Sequence, residues 1–148
     1  MGALLRCYCQ DCDYSLDLVA GVGSAYVPRN FEFVDKSNED NMWVKSIERL
    51  RVLDDVELIV NKKHGQIDHF GFAIYYSEPC RRLCSRFYFE LYYLEDDGQR
   101  KVYIPTYFDK YGKELIRVDM DDISLLDLEC PKCKSTRLTL PKIKYLWD

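Results

Sequence analysis

Cys9-Gln10-Asp11-Cys12 and Cys130-Pro131-Lys132-Cys133 stand near opposite ends of a 148-residue chain. Each Cys-x-x-Cys closes a tight knuckle that aims two thiolates at one point. Two knuckles brought together supply the four soft ligands of a closed tetrahedral zinc site. The expected metal ligands are therefore Cys9, Cys12, Cys130 and Cys133, with zinc in a structural role, because a four-cysteine shell leaves no open position for substrate. Cys7 competes with Cys9, since Cys7-x-Cys9-x-x-Cys12 offers three thiols; knuckle spacing favours Cys9 and leaves Cys7 as a buried thiol. Redox thiols, inert cysteines or another metal are the alternatives. Closing a loop of this length costs only a few kcal/mol, whereas structural zinc contributes about 10–16 kcal/mol in small peptides. One ion can thus clamp both ends of the chain together.

Around the knuckles the apolar pattern sets out the rest. Ala3 to Tyr8 and Tyr14 to Val19 read as a hairpin presenting Cys9 and Cys12 at its turn, the geometry of a zinc ribbon. Gly21-Val22-Gly23-Ser24 and Pro28-Arg29-Asn30 mark sharp turns. A helical section spans about 38–63: Ser37 or Asn38 caps it, and Trp43, Ile47, Leu50 and Leu53 recur at helical spacing. A second helix is expected over Asp54 to Lys63, with Val56, Ile59 and Val60 inward and Gly65 at its end. Central antiparallel strands occupy about 69–120. Phe70 to Tyr76 is one, and Arg86 to Leu94 sets Phe87, Phe89, Leu91 and Tyr93 on one face. Val102 to Phe108 follows the turn at 96–99, and Glu114 to Met120 follows the turn at 110–112. The two zinc knuckles fall at 7–14 and 128–137, the second framed by strand-like runs Ile123 to Leu128 and Thr136 to Leu140.

The segments Cys9-Gln10-Asp11-Cys12-Asp13-Tyr14, Gly21-Val22-Gly23, Ala73-Ile74-Tyr75-Tyr76, Arg86-Phe87-Tyr88-Phe89 and Cys130-Pro131-Lys132-Cys133 together resemble a family of small uncharacterised bacterial zinc-ribbon proteins with N- and C-terminal CxxC knuckles. The resemblance spans most of the chain and implies a cytoplasmic metal-binding protein with no assigned activity. Members tend to carry a further Cys-x-x-Cys before the central strand, where this chain has Ser77-Glu78-Pro79-Cys80. A central site here has lost a ligand or has recruited Cys84.

Composition narrows the classes. With 47% hydrophobic residues the length suits one domain, 1–148, with one substantial core. A net charge of −4 argues against uniform attraction to nucleic acid. Ala3-Leu4-Leu5 is too short for a signal-peptide core, so the expectation is a cytoplasmic protein, with no membrane partner, whose seven cysteines are metal ligands and buried thiols.

Two weaker constellations remain. His64, His69, Cys80 and Cys84 suggest a second metal site or a thiol-dependent enzyme with Asp68 orienting a Cys-His pair; their spacing matches no usual ligand pattern, and packed thiols are the simpler reading. The segment Cys130 to Asp148 carries Lys132, Lys134, Arg137, Lys142 and Lys144 against a single acid. Ile143, Tyr145 and Trp147 alternate with its lysines, as in an edge strand that buries its aromatic side and turns the lysines to solvent, to nucleic acid or to a protein partner. Gly21-Val22-Gly23 lacks the third glycine and following Lys-Ser or Lys-Thr of a phosphate loop. Glu95-Asp96-Asp97 and Asp119-Met120-Asp121-Asp122 lack calcium-loop spacing and read as turns.

The resulting expectation is an α+β protein: an antiparallel sheet with one or two helices, closed by a zinc ribbon formed by the two chain ends. Its expected role is that of a noncatalytic interaction module; the rival is a small metal- or thiol-dependent enzyme.

Overall fold

Apolar residues at every second position of Leu5-Arg6-Cys7 and Leu16-Asp17-Leu18 demand a strand pair with one buried face, and that pair is what forms. In a computed structural model describing all 148 residues, β1 (Gly2–Tyr8) and β2 (Ser15–Gly21) run antiparallel from Tyr8↔Ser15 to Gly2↔Gly21. The chain then adds a 3-10 turn (Pro28–Phe31), α1 (Met42–Ser46), α2 (Leu50–Glu57) and a π-helical turn (Leu58–Lys62). Strands β3 (Gln66–Ser77), β4 (Arg82–Leu94), β5 (Arg100–Tyr103), β6 (Ile116–Arg117) and β7 (Lys142–Trp147) complete an α+β protein with a seven-stranded antiparallel sheet. The strand order is β5-β4-β3-β2-β1-β7, with β6 on β3. The chain forms two compact units, residues 1–23, 72–86 and 106–148, and residues 24–71 and 87–105. No helix is long and apolar enough to cross a membrane.

In the first unit Leu5 and Cys7 of β1, Leu18 of β2, Ile74 and Tyr76 of β3, and Leu83 of β4 bury together under Ile123, which a 3-10 helix (Met120–Leu125) delivers. Gly21 and Gly23 form a turn, as expected, because side chains are excluded there. A Cβ on Gly21, which has φ +74°, would meet the Met1 carbonyl oxygen at 2.4 Å, and one on Gly23 would meet Asp148 at 3.0 Å. The strand expected over Glu114 to Met120 shrinks to the two residues of β6, paired with Tyr75 and Tyr76. The turn before it does form: Asp109 accepts backbone hydrogen bonds from Tyr111 and Lys113, and Gly112 takes φ +79°.

The alternation expected of Ile143, Tyr145 and Trp147 is broken. β7 pairs with β1 through Leu4↔Tyr145 and Leu5↔Ile143, so two residues of β7 are spanned by one step of β1 and Lys144 is the extra residue of a bulge. Successive residues of β1 point to opposite faces. Ile143 therefore shares the face of buried Leu5, while Tyr145 and Trp147 lie on the other. The aromatic side is not buried: Tyr145 keeps 59% of its surface exposed and Trp147 38%, the indole lying over Gly2.

The second unit is built on aromatic rings. Phe31, Trp43, Phe87 and Phe89 are all but completely buried. Trp43 meets Phe31 and Phe89 edge-on at 4.8 and 5.0 Å, and its indole N–H donates to the Phe31 carbonyl at 2.9 Å. Asn61 acts as a strand substitute, accepting from the Val34 N–H and donating to the Val34 carbonyl, both at 2.9 Å. The expected face of β4 is confirmed in Phe87, Phe89 and Leu91, and the 96–99 turn holds with Gly98 at φ +82°. The strand after it is Arg100–Tyr103 rather than Val102 to Phe108.

The helical section differs at both ends from the expectation. Its first cap is Asn41, whose side chain accepts from the Trp43 N–H; Asp35 and Asn38 instead close turns onto Ser37 and Asp40. The helix breaks at Ile47, which is extended, so Leu50 starts a new helix and is 73% exposed. Val56, Ile59 and Val60 are buried as expected. At the C-terminus the left-handed residue is His64 (φ 54°) and not Gly65. The Lys63 and Gly65 N–H groups both bond the Ile59 carbonyl. Glycine is needed at 65 for space, since a Cβ would sit 2.6 Å from Ile59 Cγ2. Gly65→Ala is expected to cost about 1–3 kcal/mol through this overlap, read as a lower midpoint in urea unfolding; an unchanged midpoint refutes the steric argument.

Candidate metal centre

The β1–β2 hairpin cannot close with a two-residue turn, because the chain between Tyr8 and Ser15 folds into a knuckle of its own. The Cys9 N–H donates to the Tyr14 carbonyl at 2.9 Å. The second knuckle repeats this bond: the Cys130 N–H donates to the Ser135 carbonyl, again five residues on, at 2.8 Å. Its flanks are not the strand-like frame expected. Before it run the 3-10 helix and irregular backbone, and after it only Leu138 makes a bridge, to Cys9, with the Thr139 N–H on the Tyr8 carbonyl at 2.8 Å and the Gln10 N–H on the Arg137 carbonyl at 3.0 Å. Those few bonds dock one knuckle on the other.

The docking brings four sulfurs together. The Sγ atoms of Cys9, Cys12, Cys130 and Cys133 all lie within 4.8 Å of one another. The two pairs that cross between knuckles, Cys9–Cys133 and Cys12–Cys130, stand 3.5 and 3.6 Å apart. A tetrahedron with metal–sulfur bonds of about 2.3 Å has edges of about 3.8 Å, so this donor set fits a four-coordinate soft metal. None of the four is in a disulfide.

Each sulfur also receives a backbone N–H from two residues further along. Asp11 donates to Cys9 and Tyr14 to Cys12, both at 3.4 Å, while Lys132 donates to Cys130 and Ser135 to Cys133. These dipoles favour thiolates. Burial opposes ionisation of Cys130, yet the N–H groups of Cys133 and Lys132 and the neighbouring thiols of Cys12 and Cys133 bring it down to about 7. At Cys12 the Tyr14 N–H likewise favours the thiolate, but burial and the three other sulfurs outweigh it and push the thiol up. Without a cation the cluster accommodates negative charge unevenly; with a divalent ion all four sulfurs ionise together.

Polar side chains fasten the rim. Asp11 accepts from the Arg137 guanidinium at 2.7 Å and from the Ser135 hydroxyl, and Asp13 accepts from Lys132. All join one knuckle to the other and sit in solvent, where such pairs contribute orientation more than stability. Their roles were not apparent from the sequence; Asp11 and Asp13, the acids on either side of Cys12, lie within reach of a base in the other knuckle only once the two are docked.

Cys7 is in the core with Leu5 and Leu18, 3% exposed, outside the sulfur cluster. Burial first, and then the charge of Asp17, raise its thiol to about 11. It is a buried thiol.

The second constellation does not assemble into such a group, since the four terminal cysteines are the only set of three or more ligating side chains. His64 lies just past the π-helical turn and its Lys63 cap, at φ 54°. His69, at φ 46° in β3, faces Asp68 and Glu90 at 3.5 and 3.9 Å. Cys80 lies in the β3–β4 turn, where its N–H donates to the Ser77 hydroxyl, and Cys84 lies in β4. Asp68 turns back on the His69 backbone N–H, so it is engaged locally. Arg81, at φ 55°, is drawn onto Glu129 and Asp127 and ties this turn to the approach of the second knuckle.

No family model, curated protein or solved structure matches this chain. What stands of the likeness to zinc-ribbon proteins is the grouping of the four cysteines with Cys-x-x-Cys spacing on both sides.

Proposed function

We propose that Cys9, Cys12, Cys130 and Cys133 bind one zinc ion in a structural role, and that the protein is a noncatalytic interaction module whose fold the ion secures. The observation that carries this reading is the four-sulfur group, with cross-knuckle separations of 3.5 and 3.6 Å and a backbone donor on every sulfur. Four protein ligands saturate a tetrahedral ion and leave no place for substrate or for an activated water. Cys9 and Cys130 are buried, so exchange of the metal is coupled to opening of the knuckles.

The interaction surface in this reading is β7, which lies at the sheet edge with every residue exposed. Ile143, Tyr145, Leu146 and Trp147 supply apolar contact area, and Lys142 and Lys144 supply charge. Lys144 stands 5.5 Å over the Tyr145 ring, so part of that charge is already held against an aromatic face. An unpaired edge of this composition suits a protein segment that adds a strand; nucleic acid is the other partner its lysines admit.

Elemental mass spectrometry on protein purified under reducing conditions without added metal tests the zinc assignment. One zinc per chain is expected. A folded protein with no metal overturns it, and two ions per chain would move attention to the histidines.

A further inference from the structure

The four sulfurs differ in what can reach them. Cys133 is exposed and Cys12 half-buried, while Cys9 and Cys130 are buried. A small reagent in solvent therefore meets Cys133 without any opening of the knuckles. Redox-sensitive cysteines are accessible thiolates with a second thiol beside them to resolve the first product of oxidation. Cys133 meets each condition. As a metal ligand it is held as thiolate, the Ser135 N–H donates to its sulfur, and the Cys9 Sγ stands 3.5 Å away.

Docking of the knuckles decides which thiol does the resolving. Cys9 belongs to the knuckle opposite Cys133, and the second pair at contact distance, Cys12 and Cys130 at 3.6 Å, crosses in the same way. A bond between Cys9 and Cys133 requires their sulfurs to close by only about 1.5 Å. Asp11 on Arg137 and Ser135, and Asp13 on Lys132, orient the two knuckles toward each other from outside the cluster. A Cys9–Cys133 disulfide closes the same long loop of chain that the ion closes. A Cys130–Cys133 disulfide, by contrast, lies within one knuckle and ties it to nothing.

We infer that Cys133 is a site of oxidation by hydrogen peroxide and Cys9 its resolving thiol, so that the clamp between the chain ends passes from a metal ion to a Cys9–Cys133 disulfide. Loss of the ion rests on the zinc reading above; the pairing of the sulfurs does not. The Cys133 thiolate attacks one oxygen of the peroxide, the O–O bond breaks, hydroxide leaves and Cys133 becomes a sulfenic acid. The Cys9 thiolate then attacks the Cys133 sulfur; the S–S bond forms, the S–O bond breaks and a second hydroxide leaves. Solvent protonates both hydroxides to water. Two thiolates have given up two electrons, and the peroxide has taken them. Cys12 and Cys130 alone do not complete a tetrahedral shell, so the cluster releases its ion, and a thiol reductant regenerates the four sulfurs.

The test treats the full chain, purified under reducing conditions and freed of reductant, with hydrogen peroxide at neutral pH. Peptide mapping without reduction reads the pairing, a chromogenic chelator reads released zinc, and dimedone traps sulfenic acid. The expected first product is a Cys9–Cys133 cross-link, with dimedone on Cys133 ahead of every other cysteine. Zinc is expected to be lost in step with the cross-link, and dithiothreitol with added zinc to reverse both. Cys80→Ser/Cys84→Ser removes the two half-buried thiols outside the cluster, keeps all four ligands, and is expected to react at the parent's rate. Any other pairing as the first product overturns the inference. So does first labelling of Cys80 or Cys84, a slowed reaction in the double variant, retention of zinc after the cross-link has formed, or thiols that stay unreacted in millimolar peroxide. A chain that carries no zinc as purified fails the zinc reading alone, and the same peptide map then decides whether Cys9 and Cys133 pair.

Discussion

Cys130→Ser is expected to abolish stoichiometric metal binding and to lower the thermal midpoint by more than about 10 °C, the largest effect of any single cysteine change. Structural zinc contributes about 10–16 kcal/mol in small peptides, and for a chain of this size each kcal/mol moves the midpoint by a few degrees. Cys130 is the ligand of choice for the test because it is fully buried while Cys133 is exposed. A serine there has no competing solvent-side thiol to take its place. The damage is expected to spread beyond the knuckle. Leu138, Thr139 and Arg137 hold the first knuckle by a bridge, a few backbone bonds and exposed side-chain contacts, so without the ion the segment leading to β7 is expected to lose its anchor. Metal content by elemental analysis and melting by circular dichroism read the two effects separately. The matched control is Cys7→Ser, which is expected to keep full metal while losing some stability from the core. Full occupancy in Cys130→Ser, or loss of metal in Cys7→Ser, sinks the assignment of ligands.

Trp43→Ala is expected to cost about 3–5 kcal/mol, the range for removing a large aromatic side chain from a packed core. Trp43 is completely buried, edge-on to Phe31 and Phe89, and its N–H satisfies the Phe31 carbonyl. Trp43→Phe separates these contributions. It keeps most of the ring contact but leaves that carbonyl without its donor, which is expected to cost about 1–3 kcal/mol. Urea unfolding followed by circular dichroism gives both values, and Trp147, partly exposed in β7, remains as a fluorescent reporter. Losses below about 0.5 kcal/mol for Trp43→Ala would show that this residue is not the centre of its unit. Because Trp43 and the four cysteines belong to different compact units, its replacement is expected to leave metal stoichiometry unchanged, in contrast to Cys130→Ser.

The two changes also probe different kinds of information in the chain. Cys9, Cys12, Cys130 and Cys133 were legible as a set because Cys-x-x-Cys is a local geometric unit that holds its form wherever it is placed. The burial of Phe87, Phe89 and Leu91 was legible for a similar reason: side chains alternate across a strand whatever its neighbours are. The helical section was legible only in outline. Its periodicity ran through Ile47, but the extended backbone there follows from where Trp43 and Val52 have to be buried, and helical spacing alone does not encode that break. His64 in place of Gly65 as the left-handed residue was likewise hidden, since the glycine is required by the distance to Ile59 and not by its own backbone angle.

By itself, then, the sequence determined the two Cys-x-x-Cys knuckles, the hairpin that carries Cys9 and Cys12, and the inward face of β4, because each depends on residues close together in the chain. Tertiary structure alone decided three further matters. It paired Asp11 and Asp13 with bases more than a hundred positions away, inserted Lys144 as a bulge that sends Ile143 and Tyr145 to opposite faces, and drew Arg81 of the β3–β4 turn onto Asp127 and Glu129. Each is a relation between segments whose separation along the chain says nothing about their distance in space, and packing, not local preference, fixes that distance.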